Sequence, residues 1–288
     1  MADVAVVTDS TGYLPGELVD SFGITVVPQY YDLGKGALRE SEFDGDFDRF
    51  YAALDSSKTV ARTSPPTVED FGVVFDRLLE QHSAVVAVLI SSGISETCSM
   101  ARRAAEQFGT QDHPERLVVI DSAGAGGHLG LQVLAAARAA AESAELGRVI
   151  ERIHQARRDV RGWALVETLE YLRRSDRISS VAAWIGSALD LKPILAFESE
   201  LRAVDRVRTR RRGVERLVEL MRQRRAVGAD RWFVQHVHAA EDAQLLAKRL
   251  HAMFGTEPEF ISEVGPVVAT HVGPGTLFVG GLPTAALR

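Results

Sequence analysis

Cysteine is nearly absent from this sequence, and so are long apolar runs and an excess of basic charge. Cys98 is the only cysteine, which excludes a disulfide within the chain. The longest apolar stretch, Val181 to Phe197, is interrupted by Asp190 and Lys192, so no membrane-spanning helix is expected. The net charge of −6 argues against general nucleic-acid binding, which needs a basic surface.

The motifs of several enzyme classes are missing as well. No Gly-x-Gly-x-x-Gly follows the first apolar run, and no Gly-x-x-x-x-Gly-Lys-[Ser/Thr] loop occurs, which disfavours a nucleotide-dependent enzyme. His236 and His238 alternate along a predicted strand, but no carboxylate motif accompanies them, so we expect no metal and no cofactor. The first residues, Met1 to Val4, lack the basic and apolar regions of a secretory leader, and we expect a cytoplasmic protein.

What the sequence does contain is an alternation of short apolar runs with helical patterns. Val4–Thr8 is a short β-branched run that predicts a strand, and Ala84–Ile90 is continuously apolar, which is typical of a parallel strand covered on both faces. After about residue 160 the pattern changes to mixed strands and helices with a more antiparallel character. We therefore predict an α/β protein of two domains, an N-terminal Rossmann-like parallel-sheet domain (1–160) and a C-terminal α+β domain (161–288).

Three small residues, Ser91-Ser92-Gly93, follow the apolar run Ala84–Ile90. The pattern predicts that a helix begins there and continues to Phe108. Free backbone N–H groups and the positive end of a helix would suit a carboxylate or phosphate, with Ser92 as an added hydroxyl donor. Simple capping of the helix by one of the serines explains the same residues.

Two further segments carry polar groups next to turns. In Thr63-Ser64-Pro65-Pro66-Thr67 the prolines stiffen a loop that presents two hydroxyls, and Thr67 is a predicted N-cap for a helix over 68–81. His271 precedes Gly273-Pro274-Gly275. A rigid helix start and a structural histidine are the alternative interpretations. If the fold brings these segments and Ser92 together, they form a small polar receptor for an anionic head group.

A cluster of arginines lies in the C-terminal half. Four of them share the parity of one strand face: Arg202, Arg206, Arg208 and Arg210. Such a face suits docking of an acidic partner or of phosphate, and a solvated strand face is the alternative.

In this order, the motifs resemble those of the DegV family of bacterial fatty-acid-binding proteins. The similar segments run from about Val4 to Gly281: Asp9-Ser10-Thr11, Thr63-Ser64-Pro65, Ser91-Ser92-Gly93-Ile94-Ser95, Leu169-Glu170-Tyr171-Leu172-Arg173-Arg174 with Arg177-Ile178, Leu191-Lys192-Pro193-Ile194-Leu195 and His271-Val272-Gly273-Pro274-Gly275.

The resemblance implies a long-chain fatty acid bound between and within two domains. Its carboxylate would meet Thr63, Ser92, the Gly93 N–H and His271, and the secondary polar candidates are Ser64 and Ser95. The family includes carriers that present the acid to a separate ATP-dependent fatty-acid kinase and perform no catalysis themselves.

Further residues follow from the same resemblance. Arg177 and Arg208 match basic positions near the kinase-docking surface, and Arg206 shares the strand face of Arg208. Contact with a membrane would be transient. Apolar residues that suit the acyl tunnel, or equally ordinary core packing, are Trp184, Ile185, Leu189, Ile194 and Leu195.

A serine hydrolase is the competing interpretation. Ser92 would be the nucleophile and His271 its base, with Asp9 or Asp121 orienting the histidine. However, no Gly-x-Ser-x-Gly motif surrounds Ser92. The carboxylate of Glu96 would repel a bound anion, so we expect it to face solvent.

Overall fold

The computed structural model describes residues 3–56, 61–107, 114–175 and 191–288. The strands in these ranges are β1 (Val4–Asp9), β2 (Thr25–Val27), β3 (Tyr30–Asp32), β4 (Leu38–Arg39), β5 (Arg62–Ser64), β6 (Ala84–Leu89), β7 (Leu117–Asp121), β8 (Arg161–Leu165), β9 (Lys192–Glu198), β10 (Glu200–Val207), β11 (Arg231–His236), β12 (Phe260–Glu263) and β13 (Leu277–Leu282). The helices are α1 (Gly16–Ser21), α2 (Phe47–Ser56), α3 (Val68–Gln81), α4 (Thr97–Gln107), α5 (Gly127–Ala141), α6 (Leu146–Asp159), α7 (Glu170–Arg174), α8 (Arg210–Ala226), α9 (Ala240–Phe254) and α10 (Pro266–Val272).

Two large sheets divide the chain. The first is parallel throughout, with the order β2-β1-β6-β7. The second is mixed, with the order β10-β9-β8-β13-β11-β12, and among its pairs only β11 and β12 are parallel. The predicted α/β class, with a parallel sheet first and a mixed sheet second, is confirmed. The predicted boundary at residue 160 falls between the two sheets, and the assignment of two domains stays a prediction.

Both faces of the parallel sheet are covered, as the continuous apolar run Ala84–Ile90 predicted. Along β6, Val86 and Val88 pack into the core that contains α5. The alternate residues Val85, Ala87 and Leu89 pack into the core that contains α3 and α4. Successive side chains of a strand point to opposite faces, so both sets must be apolar.

Helix α5 lies between the two large sheets. It contacts β1 and β6 on one side and β8, β11 and β13 on the other. Its side chains are buried almost all around, which matches a sequence that is apolar on every face. Gly127 lets the helix approach the mixed sheet, because a Cβ there would overlap the ring of Phe233.

A third sheet, β4-β3-β5, was not predicted from the sequence. It is antiparallel and pairs Tyr31 with Thr63. The sheet matters for function because it holds Thr63 in a strand and not in a free loop. The predicted N-cap at Thr67 is confirmed, since its hydroxyl accepts the N–H of Asp70 at 3.1 Å.

One predicted helix start and one predicted strand position were wrong. Helix α4 begins at Thr97, four residues after Gly93, because a turn over residues 92–94 intervenes. Helix α8 begins at Arg210, capped by Thr209, and so removes Arg210 from the predicted strand face. In the part of the chain that the structure describes, no helix combines the length and the apolar character needed to cross a bilayer.

Candidate functional site

A cavity of about 540 Å³ lies where the segments after β5 and β6 meet α10 and the β9–β10 hairpin. This volume is within the range of small-molecule sites. Its polar wall residues are Gln29, Thr63, Ser64, Ser92, Ser95, Glu96 and His271. Its apolar wall includes Ile90, Ile94, Leu172, Phe197, Leu201, Val267, Val268 and Val272. The fold therefore brings the three polar segments singled out in the sequence to one cavity.

Thr63 and His271 form the closest polar pair of this cavity. Thr63 Oγ1 and His271 Nε2 are 2.8 Å apart, although 208 residues separate them in sequence. Thr63 lies in β5 and His271 in the last turn of α10, and both are half-buried. With its hydrogen on Nε2, His271 donates to Thr63 and leaves the hydroxyl proton of Thr63 for an anion.

Helix α10 is held at its start by residues from the N-terminal part of the chain. The N–H of Val267 donates to Glu40 Oε1 at 2.8 Å, and the N–H of Val268 donates to the Tyr13 hydroxyl at 3.0 Å. The Tyr13 hydroxyl itself donates to Glu40 Oε1 at 2.9 Å. These contacts satisfy N–H groups that have no partner within the helix. Glu40 is almost fully buried, and this burial raises its pKa to about 7.

The end of α10 is fixed by a close approach and an ion-pair network. Gly273 has a φ of 77°, and a Cβ there would overlap the ring of Tyr171. The guanidinium of Arg210 donates to the carbonyl of Gly275 at 2.6 Å and pairs with Glu167 and Asp242. Arg210 thus points inward and holds the turn that follows His271, which corrects its predicted position on a docking face.

The segment after β6 differs from the predicted helix start. The hydroxyl of Ser92, which is exposed at the cavity wall, donates to Asp121 Oδ2. The N–H of Gly93 donates to Ser91 Oγ at 3.1 Å, so it is not a free donor in this structure. Ser95 Oγ accepts the N–H of Thr97 at 3.3 Å, at the start of α4.

The tip of the β9–β10 hairpin sits on the segments after β6 and β7. Ser91 Oγ donates to the carbonyl of Ser199, and the N–H of Ser199 donates to the carbonyl of Ala123 at 2.9 Å. Gly93 is required at this contact, since a Cβ there would overlap the Ser199 carbonyl oxygen. The hairpin carries Phe197 and Leu201 into the cavity wall.

The predicted tunnel residue Ile194 does not border this cavity. It is fully buried on the other face of the mixed sheet, in the core that includes Leu217 and Trp232. Leu195 and Phe197 point to the opposite face, toward the core with α5. Strand alternation from Leu195 would have indicated Phe197. The other tunnel candidates and one docking candidate lie outside the described residues: Trp184, Ile185, Leu189 and Arg177.

Charged groups stand at the edge of the cavity. Glu96 is exposed and contributes to the wall, so its side chain reaches solvent at the rim. Asp121 is half-buried behind Ser92. Within the described ranges, no group of His, Cys, Asp and Glu side chains is arranged to hold a metal ion.

The arginine face is less regular than the sequence parity predicted. A β-bulge interrupts the pairing of β9 and β10 between Ala203 and Asp205, and the strand ends at Val207. Arg206 lies in β10 after the bulge and Arg208 follows the strand, and both are exposed. The even-numbered arginines between residues 202 and 210 therefore do not all lie on one face of a strand.

The geometry does not form the hydrolase arrangement. Ser92 bonds to Asp121 and His271 bonds to Thr63, so Ser92 and His271 are not a nucleophile–base pair here. Asp9 is fully buried and accepts hydrogen bonds from Thr11 and from the N–H of Ile90. It is therefore not positioned to orient His271.

Comparison with known proteins identifies the family of this chain. Residues 3–283 match the family model described as an uncharacterised protein of the DegV family. The chain belongs to the DegV family. A DegV domain-containing protein of Streptomyces coelicolor is 34% identical over 283 residues, which are 96% of this chain and 97% of that protein. Protein DegV of Bacillus subtilis is 30% identical over 278 residues, 96% of this chain and 97% of its own length.

Solved structures of DegV-family proteins share this fold. One from Thermus thermophilus, described as showing fatty-acid binding, is 30% identical, covers 98% of this chain and 99% of its own, and has a TM-score of 0.86. The crystal structure of DegV from Bacillus subtilis, described as a fatty acid binding protein, is 28% identical, covers 98% and 100% of the two chains and also has a TM-score of 0.86.

Proposed function

We propose that this DegV-family protein binds a long-chain fatty acid as a cytoplasmic carrier and presents it to a separate ATP-dependent fatty-acid kinase. The acyl chain occupies the cavity between the two predicted domains. Its carboxylate accepts hydrogen bonds from Thr63 and Ser92, with His271 supporting Thr63. The protein performs no catalysis of its own.

One observation carries the proposal above all. Thr63 and His271, 208 residues apart in sequence, form a 2.8 Å pair in the wall of a largely apolar cavity. A carboxylate needs donors when it leaves water, and an alkyl chain needs apolar walls. Two DegV relatives of 28% and 30% identity are described as fatty-acid-binding, which supports the same ligand class.

Tail and head contribute differently to such binding. Burying about fourteen CH₂ groups of a sixteen-carbon acid contributes roughly 11 kcal/mol before the costs of association. The tail therefore supplies most of the affinity. The hydroxyl groups keep a desolvated carboxylate hydrogen-bonded and fix its position, which suits later attack by another enzyme.

Mass spectrometry of the purified protein under denaturing conditions tests the ligand. We expect a stoichiometric, non-covalent fatty acid, or saturable binding of added hexadecanoic acid to the delipidated protein. Methyl hexadecanoate keeps the tail and loses the carboxylate, so it should bind at least about tenfold more weakly. A protein that contains no lipid and binds no added acid contradicts the proposal.

Single substitutions test the head-group assignment. Thr63→Val, Ser92→Ala and His271→Ala should each weaken hexadecanoate binding by about tenfold, since hydrogen bonds to a charged group are the stronger ones. Ser99→Ala is the matched control, because Ser99 is an exposed residue of α4 away from the cavity wall. Unchanged affinity in all three site variants would refute the assignment.

The kinase partnership needs a separate measurement. In an assay of acyl-phosphate formation with a fatty-acid kinase, Arg208→Glu should lower the rate while hexadecanoate affinity stays unchanged. Arg148→Glu makes the same charge change at an exposed position of α6 and should have no effect. Equal loss in both variants, or none in Arg208→Glu, would count against docking at Arg208.

The hydrolase remains the alternative only if ester turnover is found. The hydrogen bonds of Ser92 and His271 to other partners argue against it. Ester hydrolysis that disappears in Ser92→Ala would reverse this conclusion.

A further inference from the structure

Gln29 is a polar wall residue of the cavity that the proposed head-group contacts do not involve. It is 3% exposed and directly precedes β3. Its backbone is fixed on both sides, because its N–H donates to Ser10 Oγ at 3.0 Å and its carbonyl accepts the N–H of Glu40 at 2.8 Å. The side chain is therefore presented to the cavity from a rigid support.

The orientation of the Gln29 amide follows from its partner. Its Nε2 donates to Asp9 Oδ1 at 3.1 Å. That carboxyl also receives the N–H of Thr11 on Oδ1 and the N–H of Ile90 on Oδ2, so it acts as an acceptor on both oxygens. The amide nitrogen must therefore face Asp9, and the amide oxygen, Oε1, is the atom that takes no part in this hydrogen bond. In the part of the chain that the structure describes, no donor bonds to Gln29 Oε1.

Gln29 borders the cavity, so a ligand hydroxyl in the cavity can donate a hydrogen bond to its amide oxygen. Gln29 lies two residues before Tyr31, which is paired with Thr63. Two residues of extended chain span about 7 Å, so Gln29 is near the proposed head-group end. A carboxylate offers only acceptors and an alkyl chain offers neither, so neither satisfies Gln29 Oε1.

We propose that Gln29 Oε1 accepts a hydrogen bond from a hydroxyl close to the carboxyl group of the ligand, and that the protein prefers 2- or 3-hydroxylated long-chain acids. The inference rests on the proposed fatty-acid binding and names its substrate class. A hydroxyl on the first or second carbon after the carboxyl group lies at the same end of the ligand as the proposed contact with Thr63.

Calorimetric titration of delipidated protein tests this preference. The probes are hexadecanoic acid, its 2-hydroxy and 3-hydroxy derivatives, and the corresponding methoxy acids, which cannot donate. The wild type should bind at least one hydroxy acid about threefold to tenfold more tightly than hexadecanoic acid, and its methoxy analogue more weakly than that hydroxy acid. In Gln29→Met the preference should disappear or reverse.

The ratio of the two dissociation constants is the readout, because a general packing defect weakens both ligands together. Gln132→Met removes another buried glutamine, in α5, and should leave the ratio unchanged. Hydroxy and unsubstituted acids of equal affinity, or an unchanged ratio in Gln29→Met, would overturn the inference and leave fatty-acid binding intact. Failure of every acid to bind the wild type would overturn the proposed function as well.

Discussion

At the scale of single residues, Ser92 can donate its one hydroxyl proton either to Asp121 or to the carboxylate of the proposed ligand. In the structure it donates that proton to Asp121 Oδ2. To bind a carboxylate it must rotate away from Asp121, which loses a charge-assisted hydrogen bond. Asp121 also places a negative charge close to the proposed head group. Asp121 therefore weakens the proposed binding of the carboxylate in two ways.

Asp121→Asn should tighten binding of hexadecanoate by about threefold to tenfold. The amide nitrogen of asparagine can donate to Ser92 Oγ and free the hydroxyl proton for the ligand, while the amide oxygen can still accept the N–H of Ala123. Calorimetric titration measures the change. Asp20→Asn removes the same charge at an exposed position of α1 and should not alter affinity. Weaker binding in Asp121→Asn would show that Asp121 supports the site.

Glu40 makes stability depend on pH. Its pKa in the folded protein is about 7 against an ordinary value of 4.5, because burial disfavours the carboxylate. Between these two values the folded state keeps the proton and the unfolded state releases it. The free energy of unfolding therefore falls as pH rises through this window, by about 3 kcal/mol from this group.

Glu40→Gln should remove this dependence. Glutamine does not titrate and can still accept the N–H of Val267, so the variant should gain about 3 kcal/mol relative to the wild type between pH 4.5 and pH 7. Urea denaturation at a series of pH values gives the difference. Burial also raises the pKa of Asp9 and lowers that of His128 to about 3, and both effects cancel in the comparison. Parallel curves for the two proteins would contradict the prediction.

At the scale of elements, the β9–β10 hairpin depends on a glycine in another segment. Gly93→Ala would push a methyl group into the carbonyl oxygen of Ser199 and displace the hairpin tip. We expect a loss of about 1 to 3 kcal/mol in stability and weaker hexadecanoate binding, because Phe197 and Leu201 line the cavity. Thermal denaturation and titration measure the two effects.

Gly147→Ala is the matched control for this prediction. Gly147 lies near the start of α6 and a Cβ there would meet nothing within 4 Å. Alanine should be neutral or slightly stabilising at that position. If Gly93→Ala behaved in the same way, the hairpin contact would not support the cavity.

At the scale of the whole molecule, the strands that could be predicted from the sequence were those with long apolar runs. The run that forms β6 has six residues and is apolar throughout, and β1 begins with four apolar residues, which is why the parallel sheet was predictable. The strands β3, β4 and β5 have two or three residues, too few to show alternation. The sheet that holds Thr63 was missed for that reason.

The candidate site was also only partly predictable from local sequence patterns. The segments with Thr63, Ser92 and His271 were singled out because each joins polar residues to a turn. Their meeting at one cavity, and the partners Glu40 and Asp121, arise from contacts between distant parts of the chain, which local patterns do not encode. Parity alone also misplaced Arg210, since Thr209 starts a helix there.

The buried helix α5 has a consequence for how the protein melts. It packs against the parallel sheet on one side and the mixed sheet on the other, within a single apolar core. Neither sheet can lose its order without exposing this helix to water. We therefore expect one cooperative heat-absorption peak in scanning calorimetry, with equal calorimetric and van't Hoff enthalpies, and not two separate transitions.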